Sequence, residues 1–168
     1  MRETPADVTA LQDELDASAA LGGEHLRRIF EEDRRPSASE LCERLGGILE
    51  VHVACVTAEG APLVAPIDGL VYRGRLWLGF AGQSIRAGIV RRDPRISVSY
   101  NDRGMALILH GRLVLRPHGS EPDFLDHLKA QYTLQYGEWW PQWFDSQDHS
   151  DDVGGYVEPR RIFARKSD

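Results

Sequence analysis

The chain has 168 residues, a formal net charge of -6 and two cysteines, and this length suits one domain with its own hydrophobic core. The negative charge argues against nucleic acid as a partner, and no run of about 20 apolar residues predicts a membrane span. The first residues lack the apolar core of a signal peptide, and Cys42 and Cys55 have neither disulfide-framework nor metal-ligand spacing. We therefore predict a soluble cytoplasmic protein without a metal, in which both thiols are buried and structural.

Residues 1–36 are predicted to form a helical arm that precedes a single domain at residues 37–168. Thr4 and Pro5 supply an N-cap and a first-turn proline for a helix from Pro5 to Ala20. A second short helix is expected from Glu24 to Asp33. Because the apolar stripe of this arm is narrow, three placements stay open: docking on the domain, which we favour, packing on a partner subunit, and fraying.

Short strands joined by tight turns dominate the rest of the chain. Antiparallel strands need only such turns, so the pattern favours a mainly β protein, an antiparallel β-barrel with peripheral helices, over a parallel α/β sheet. The predicted strands are Ile48 to Thr57, Ala61 to Tyr72, Arg75 to Phe80, Arg95 to Asn101, Met105 to Leu115 and Tyr156 to Ala164, with a hairpin turn at Asp102-Arg103-Gly104 and an exposed tail at Arg165-Lys166. The predicted peripheral helices are Ser37 to Leu45, Gln83 to Arg92 and Pro122 to Tyr136.

A polar cluster at Gly82-Gln83-Ser84-Ile85-Arg86 stands where the third strand gives way to a helix. Free backbone N–H groups and the positive end of the helix dipole favour an anion at such a point. Ser84 adds a hydroxyl and Arg86 a guanidinium, as a phosphate site requires, while Ile85 is expected on the buried face of the helix. Pro66 in the preceding strand donates no ladder hydrogen bond, which indicates either a barrel-rim edge or the approach of another group.

Five short motifs follow one another between about Leu41 and Leu115. In chain order they are Gly60-x-Pro62, Pro66-Ile67 within a strand, a Gly74 turn, Ser84-x-Arg86 and Arg92-Asp93-Pro94-Arg95. In this order they resemble the FMN-binding split β-barrel of the pyridoxamine 5'-phosphate oxidase-like superfamily. Arg86 stands where that superfamily usually has lysine, and it keeps the positive charge.

The resemblance implies a homodimeric oxidoreductase with two FMN sites at the subunit interface and a small organic substrate. In flavin enzymes the cofactor performs hydride and electron transfer, which fits a sequence without a nucleophile–base pair, a P-loop or a dinucleotide-binding fingerprint. The catalytic residues therefore stay unassigned. In the implied site Ser84 and Arg86 hold the phosphate, Pro66, Ile67 and Asp68 line the ring, Gly79, Phe80 and Ala81 flank the ribityl chain, and Gln83 and Ile85 complete the polar cluster.

Three alternatives to FMN-dependent catalysis stay open. The superfamily also includes proteins that bind the deazaflavin coenzyme F-420, whose long acidic tail would need cationic groups beyond Arg86. A second alternative is a protein that holds flavin, deazaflavin or haem without turnover, because loss of a substrate pocket would leave the phosphate cradle intact. The third is an empty barrel that serves as a dimeric scaffold.

Residues 136–144 carry three of the four tryptophans. Such a cluster suits a lid or substrate platform over a planar ring, with Trp140 and Trp143 as candidates, or it suits core and dimer packing, which we favour. The acidic segment that follows, residues 145–152, is interpreted as a solvated loop rather than a metal site. Its four candidate metal ligands are Asp148, His149, Asp151 and Asp152.

Overall fold

A computed structural model describes residues 3–102 and 104–166, and within them the chain forms a closed antiparallel barrel surrounded by helices. The strands are β1 (Ile48–Val56), β2 (Pro62–Tyr72), β3 (Arg75–Phe80), β4 (Arg95–Asp102), β5 (Met105–Arg116) and β6 (Val153–Lys166). The α-helices are α1 (Pro5–Ala20), α2 (Glu24–Ile29), α3 (Ala38–Arg44), α4 (Ile85–Arg92), α5 (Pro122–Tyr136) and α6 (Trp140–Asp145). Around the barrel the strand order is β1-β2-β3-β6-β5-β4, and β4 pairs with β1 to close the ring. The predicted antiparallel barrel with peripheral helices is confirmed.

Alternation along the strands fills the barrel with apolar side chains. On β1, Val51 and Val53 are buried, whereas Glu50 and His52 between and before them are exposed. Leu78 on β3 belongs to the same core cluster. Burial of a side chain of this size contributes about 1.5–3 kcal/mol relative to leaving it in water. Because side chains occupy the interior, a ligand of ordinary size has to bind on the outside of the barrel.

The N-terminal arm docks on the barrel through α1. Thr4 caps this helix, since its side chain accepts a hydrogen bond from the Asp7 amide and the Asp7 side chain accepts one from the Thr4 amide. Leu15 is buried in the core cluster. The buried Ser18 Oγ accepts a hydrogen bond from the Ile162 amide of β6 at 2.9 Å. The favoured placement of the arm therefore agrees with the structure.

Several boundaries differ from those expected from the sequence. The second helix ends at Ile29, and only a 3₁₀ turn at Glu32–Arg34 follows it. β6 continues to Lys166, which pairs with Met105, so the expected exposed tail belongs to the sheet. The predicted turn between β4 and β5 includes Arg103, which lies outside the described residues.

The start of α4 also differs from the prediction. This helix begins at Ile85 with Ser84 as its N-cap, rather than at Gln83. Ile85 was expected on the buried face, but it is 77% exposed because it occupies the first helical position and points away from the barrel core. Among the described residues, no helix is long and apolar enough to cross a membrane.

Candidate functional site

A cavity of about 590 Å³ lies between the outer face of the barrel and the pair α5–α6. Its barrel wall comes from β2, β3 and the start of β6, and its outer wall comes from α5, α6 and the loop between β5 and α5. None of the residues of α5 is buried, although Phe124 of this helix stacks on Trp77 of β3 with ring centroids 4.1 Å apart. The volume falls within the range of about 300–1,000 Å³ that is usual for small-molecule and cofactor pockets.

Five of the ten residues predicted to bind a cofactor line the barrel wall of this cavity. Gly79 leaves the most room, because a Cβ added there would meet no heavy atom within 4 Å. The space that a planar ligand needs beside β3 is therefore present. The five lining residues are Ile67, Asp68, Gly79, Phe80 and Ala81.

The other predicted residues lie at or beside the start of α4, next to Ala81 in the chain. The Ser84 Oγ accepts a hydrogen bond from the Ala87 amide at 3.1 Å, and a hydroxyl in this role keeps its own proton to donate. The Arg86 guanidinium donates to the Pro66 carbonyl at 3.2 Å and lies 5.9 Å from the centroid of the Phe80 ring. These contacts bring Ser84, Arg86 and Pro66 together.

The first turn of α4 adds backbone donors to this group. The amides of Ile85 and Arg86 have no acceptor within the helix, as in the first turn of any α-helix. Gln83 precedes the N-cap in the turn that leads to the helix. The region therefore offers two amides, a hydroxyl and an exposed guanidinium, which is a donor set that suits a phosphate.

The segment at residues 145–152 packs against the turn before α4. The Gly82 amide donates to Asp152 Oδ1 at 3.0 Å, and a Cβ added to Gly82 would lie only 2.1 Å from the Asp151 carbonyl oxygen. Arg91 donates to the carbonyl oxygens of both Gly82 and Asp151. Most residues of this segment are exposed, as expected of a solvated loop, but Asp151 and Asp152 contact the turn before α4, and Gly82 is required by this contact.

No metal site was expected in that segment. Among residues 3–102 and 104–166 no group of three or more His, Cys, Asp or Glu side chains is arranged to hold a metal ion.

The outer wall of the cavity contains a continuous row of rings, here called the aromatic stack. It consists of Tyr132, Trp140, Phe144, His149 and His118, with successive centroids 4.3, 4.9, 4.0 and 4.7 Å apart. Neighbouring rings cover one another's faces, so the stack is a stiff wall rather than an open stacking platform. Trp140 and Trp143 both line the cavity; Trp140 is buried within the stack, and Trp143 is 48% exposed.

Tyr132 joins the aromatic stack to the barrel. Its hydroxyl donates to Asp68 Oδ2 at 2.8 Å, across the cavity from α5 to β2. Burial raises the pKa of the Tyr132 phenol well above its ordinary value, and the bond to Asp68 raises it further. Tyr132 is therefore a neutral donor at physiological pH.

Sequence reasoning missed the two histidines of the aromatic stack. His118 follows β5 and His149 precedes β6, so they lie far apart in the chain. Their rings meet because β5 and β6 are neighbours in the barrel. No spacing rule links such positions. The available signal was their position: each histidine lies in a loop next to a predicted strand.

The two cysteines are buried and free, as expected. Burial raises the pKa of the Cys42 thiol to about 12, and the nearby acids Glu3 and Asp7 add to this effect. Burial also raises the pKa of Cys55. Neither thiol lines the cavity, so cysteine chemistry has no part in the candidate site.

Comparisons with known proteins identify similar folds. No family model and no curated protein matches the chain. A conserved hypothetical protein from Mycobacterium tuberculosis is 21% identical with a TM-score of 0.65, and the match covers 81% of this chain and 88% of that one. An F420 reductase is 18% identical with a TM-score of 0.53, covering 71% and 93% of the two chains. A putative pyridoxamine 5'-phosphate oxidase from Listeria innocua is 17% identical with a TM-score of 0.51, covering 68% and 86%.

At these identities the similarity shows the fold. The three matches each span more than two thirds of both chains. The closed six-stranded antiparallel barrel has the architecture that the sequence motifs implied. The chain therefore has the split β-barrel fold of the pyridoxamine 5'-phosphate oxidase-like proteins.

Proposed function

We propose that the protein is an FMN-dependent oxidoreductase that acts on a small organic substrate in the cavity beneath α5. One observation carries this proposal: the donor groups at the start of α4 follow closely after Phe80 and Ala81, which line a ligand-sized cavity on the barrel wall. FMN when bound supplies hydride or electron transfer, and the protein supplies binding, orientation and exclusion of water.

The residues present fit the two ends of an FMN molecule. The Ser84 hydroxyl, the Arg86 guanidinium and the first-turn amides of α4 would hold the phosphate. Ile67 and Asp68 on β2 would line the ring, and the open face of Gly79 on β3 leaves space for it. The aromatic stack on the other side of the cavity would keep bulk water from the reacting atoms.

A deazaflavin such as F-420 is the second candidate cofactor, because an F420 reductase shares the fold. Its acidic tail calls for free cations beside the phosphate site. Arg91 and Arg92 instead donate to backbone carbonyls, and Arg95 binds Asp93 through its Nε and Nη2 atoms. We favour FMN because its single phosphate needs only the groups at the start of α4, whereas the F-420 tail needs further cations.

The absorption spectrum of the purified protein is the first test. A pair of flavin bands is expected, whereas a deazaflavin band would select the second candidate. A Soret band would show a haem protein instead, and a protein that takes up no added FMN would contradict the proposal.

Substitution of Arg86 tests the phosphate site. A charge-assisted hydrogen bond is worth about 1.5–3 kcal/mol, so Arg86→Ala should weaken FMN about tenfold or more per bond lost. Arg86→Lys should keep part of the affinity, because lysine retains the charge without the bidentate fork. Calorimetric titration of FMN into the cofactor-free forms measures both, with Arg28→Ala on the exposed side of α2 as the matched control. Equal affinities in all four proteins would remove the start of α4 from the site.

A further inference from the structure

His118 ends the aromatic stack at the wall of the cavity. It lies in the loop between β5 and α5, and its ring stacks on His149 with centroids 4.7 Å apart and planes 16° apart. The Phe144 ring lies 6.0 Å away from it. The position of His118 is therefore defined by ring packing rather than by hydrogen bonds.

Of the two stacked imidazoles, His118 alone has ring nitrogens free for a ligand. In His149, Nδ1 lies 2.7 Å from Asp152 Oδ2 and Nε2 lies 2.9 Å from the Phe144 carbonyl oxygen. Within the described part of the chain, the nitrogens of His118 form no hydrogen bond. His149 thus holds the wall in place, and His118 presents an unused donor and acceptor beside the cavity.

The carboxylates and the arginine on the cavity wall are already engaged. Asp68 accepts the hydrogen bond of Tyr132, and Asp152 binds both His149 and the Gly82 amide. Arg116 forms an ion pair with Glu121 at 3.7 Å and lies over the Tyr156 ring. Proton exchange with a ligand would therefore cost these groups an existing bond, and His118 carries no such cost.

The surroundings of His118 keep its ring neutral. Burial lowers the pKa of His118, and His149 and Lys129 of α5 lower it further, whereas Asp152 acts in the opposite direction. Arg116 and Glu121 flank it from its own loop and oppose one another. A neutral imidazole at physiological pH accepts a proton through one nitrogen and donates one through the other.

We propose that His118 is the acid–base residue of the cavity and exchanges the proton that accompanies hydride transfer. This inference rests on the proposed flavin-dependent function. In the oxidising direction a C–H bond of the substrate would break, and a bound flavin would take up its hydride equivalent. The proton of the adjacent O–H or N–H group goes to His118, and a C=O or C=N bond forms. In the reducing direction the same atoms move back, so the substrate class is an alcohol or amine paired with its carbonyl or imine.

The first test is structural and needs no turnover. NMR spectra of the imidazole protons are recorded on the cofactor-free protein and after saturation with FMN, with His118 assigned by the His118→Gln variant. The His118 signal should move on saturation, while that of His25, exposed on α2, should stay in place. If FMN binds and the His118 signal does not move, the inference fails; if FMN does not bind, the proposed function itself fails.

The second test follows the proton. Anaerobic reoxidation of the reduced FMN-loaded protein by menadione needs a hydride equivalent from the cofactor and a proton from a donor. His118→Gln keeps polarity but exchanges no proton, so the rate should fall about 100-fold and lose its dependence on pH near the titration of His118. An unchanged rate with an unchanged pH profile would overturn the assignment, whatever the FMN affinity of the variant.

Discussion

Gly82 and Gly79 lie close together in the chain, but their surroundings are opposite: Gly82 is crowded and Gly79 is open. A Cβ on Gly82 would collide with the Asp151 carbonyl oxygen, whereas a Cβ on Gly79 would enter open space. In the sequence alone, a glycine at either position can permit a close approach or form a turn. The structure separates them, because the segment at residues 145–152 packs against Gly82 and not against Gly79. The sequence alone does not indicate this contact.

This contrast gives a matched pair of substitutions. Gly82→Ala should lower the free energy of unfolding by about 1–3 kcal/mol, because the backbone of Asp151 has to move. Gly79→Ala should change it by less than about 0.5 kcal/mol, yet weaken FMN if the ring lies against β3. Urea unfolding and calorimetric titration of both variants measure these quantities. Equal loss of stability in the two variants would contradict the packing described for Gly82.

Tyr132 gives a pH dependence with a definite sign. Its pKa is raised in the folded protein by burial first and by the bond to Asp68 second. Above about pH 10, the ordinary tyrosine value, the unfolded chain loses the phenolic proton while the folded protein keeps it, so stability falls as pH rises. Unfolding in urea between pH 8 and pH 11 should show a steeper decline in the wild type than in Tyr132→Phe. Identical slopes would mean that the phenol is not protected by the fold.

At the scale of elements, the limits of α1, α3 and α5 were predictable to within one residue, whereas the short helix α6 was not predicted. The Thr4 capping box and Pro5 placed α1 at its observed limits, and Ser37 likewise caps α3. α6 has no side-chain cap and is six residues long, so its aromatic sequence gave no helical signal. Local hydrogen-bonding groups report a helix start directly, whereas a short helix held by ring packing depends on tertiary contacts.

The early start of β6 has a similar explanation. The last strand was predicted to start at Tyr156, but it starts at Val153, and Gly154 and Gly155 pair with Gly79 and Leu78 on β3. A Cβ on Gly155 would lie 1.9 Å from the Val114 carbonyl oxygen, so glycine permits a close approach of β5 and β6 there. Glycine is typical both of a residue that ends a strand and of a point where two strands approach closely, so the sequence does not distinguish the two.

The docking of α1 is testable through one buried hydroxyl. Ser18→Ala leaves the Ile162 amide of β6 without its acceptor, and an unsatisfied buried amide costs about 1–3 kcal/mol. Chemical denaturation should show that loss, while Asp13→Ala on the exposed face of α1 should change stability by no more than about 0.5 kcal/mol. A Ser18→Ala protein as stable as the wild type would show that the arm contributes little to the fold.

At the scale of the whole molecule, the sequence predicted the barrel and the polar groups at the start of α4 but not the aromatic stack. Ser84 and Arg86 are two residues apart on one turn, so a local pattern reported them. Asp68 and Tyr132 are 64 positions apart, and their contact depends on how α5 crosses the sheet. A motif within one helix or strand can be predicted from the spacing of its residues. A cavity wall assembled from several elements can be described only from the folded structure.

Exposed apolar side chains next to Pro66 and Arg86 predict how the protein assembles. Val64 lies on β2 two residues before Pro66, whose carbonyl binds Arg86, and Val64 and Ile85 are 64% and 77% exposed. Exposed apolar side chains of this size are candidates for a contact with another protein surface. We propose that a second copy of the chain covers it, in a two-fold arrangement that places each phosphate site next to the partner.

Light scattering at micromolar concentration should therefore give the mass of a dimer. Val64→Glu should shift the protein towards the monomer, because the new carboxylate would be desolvated in the interface. Leu21→Glu is the matched control, since Leu21 is also 64% exposed but lies at the end of α1. A wild-type monomer would contradict the dimer outright. If the Val64→Glu protein stays as dimeric as the Leu21→Glu protein, the interface lies elsewhere. The claim that each site adjoins the partner subunit would then be wrong.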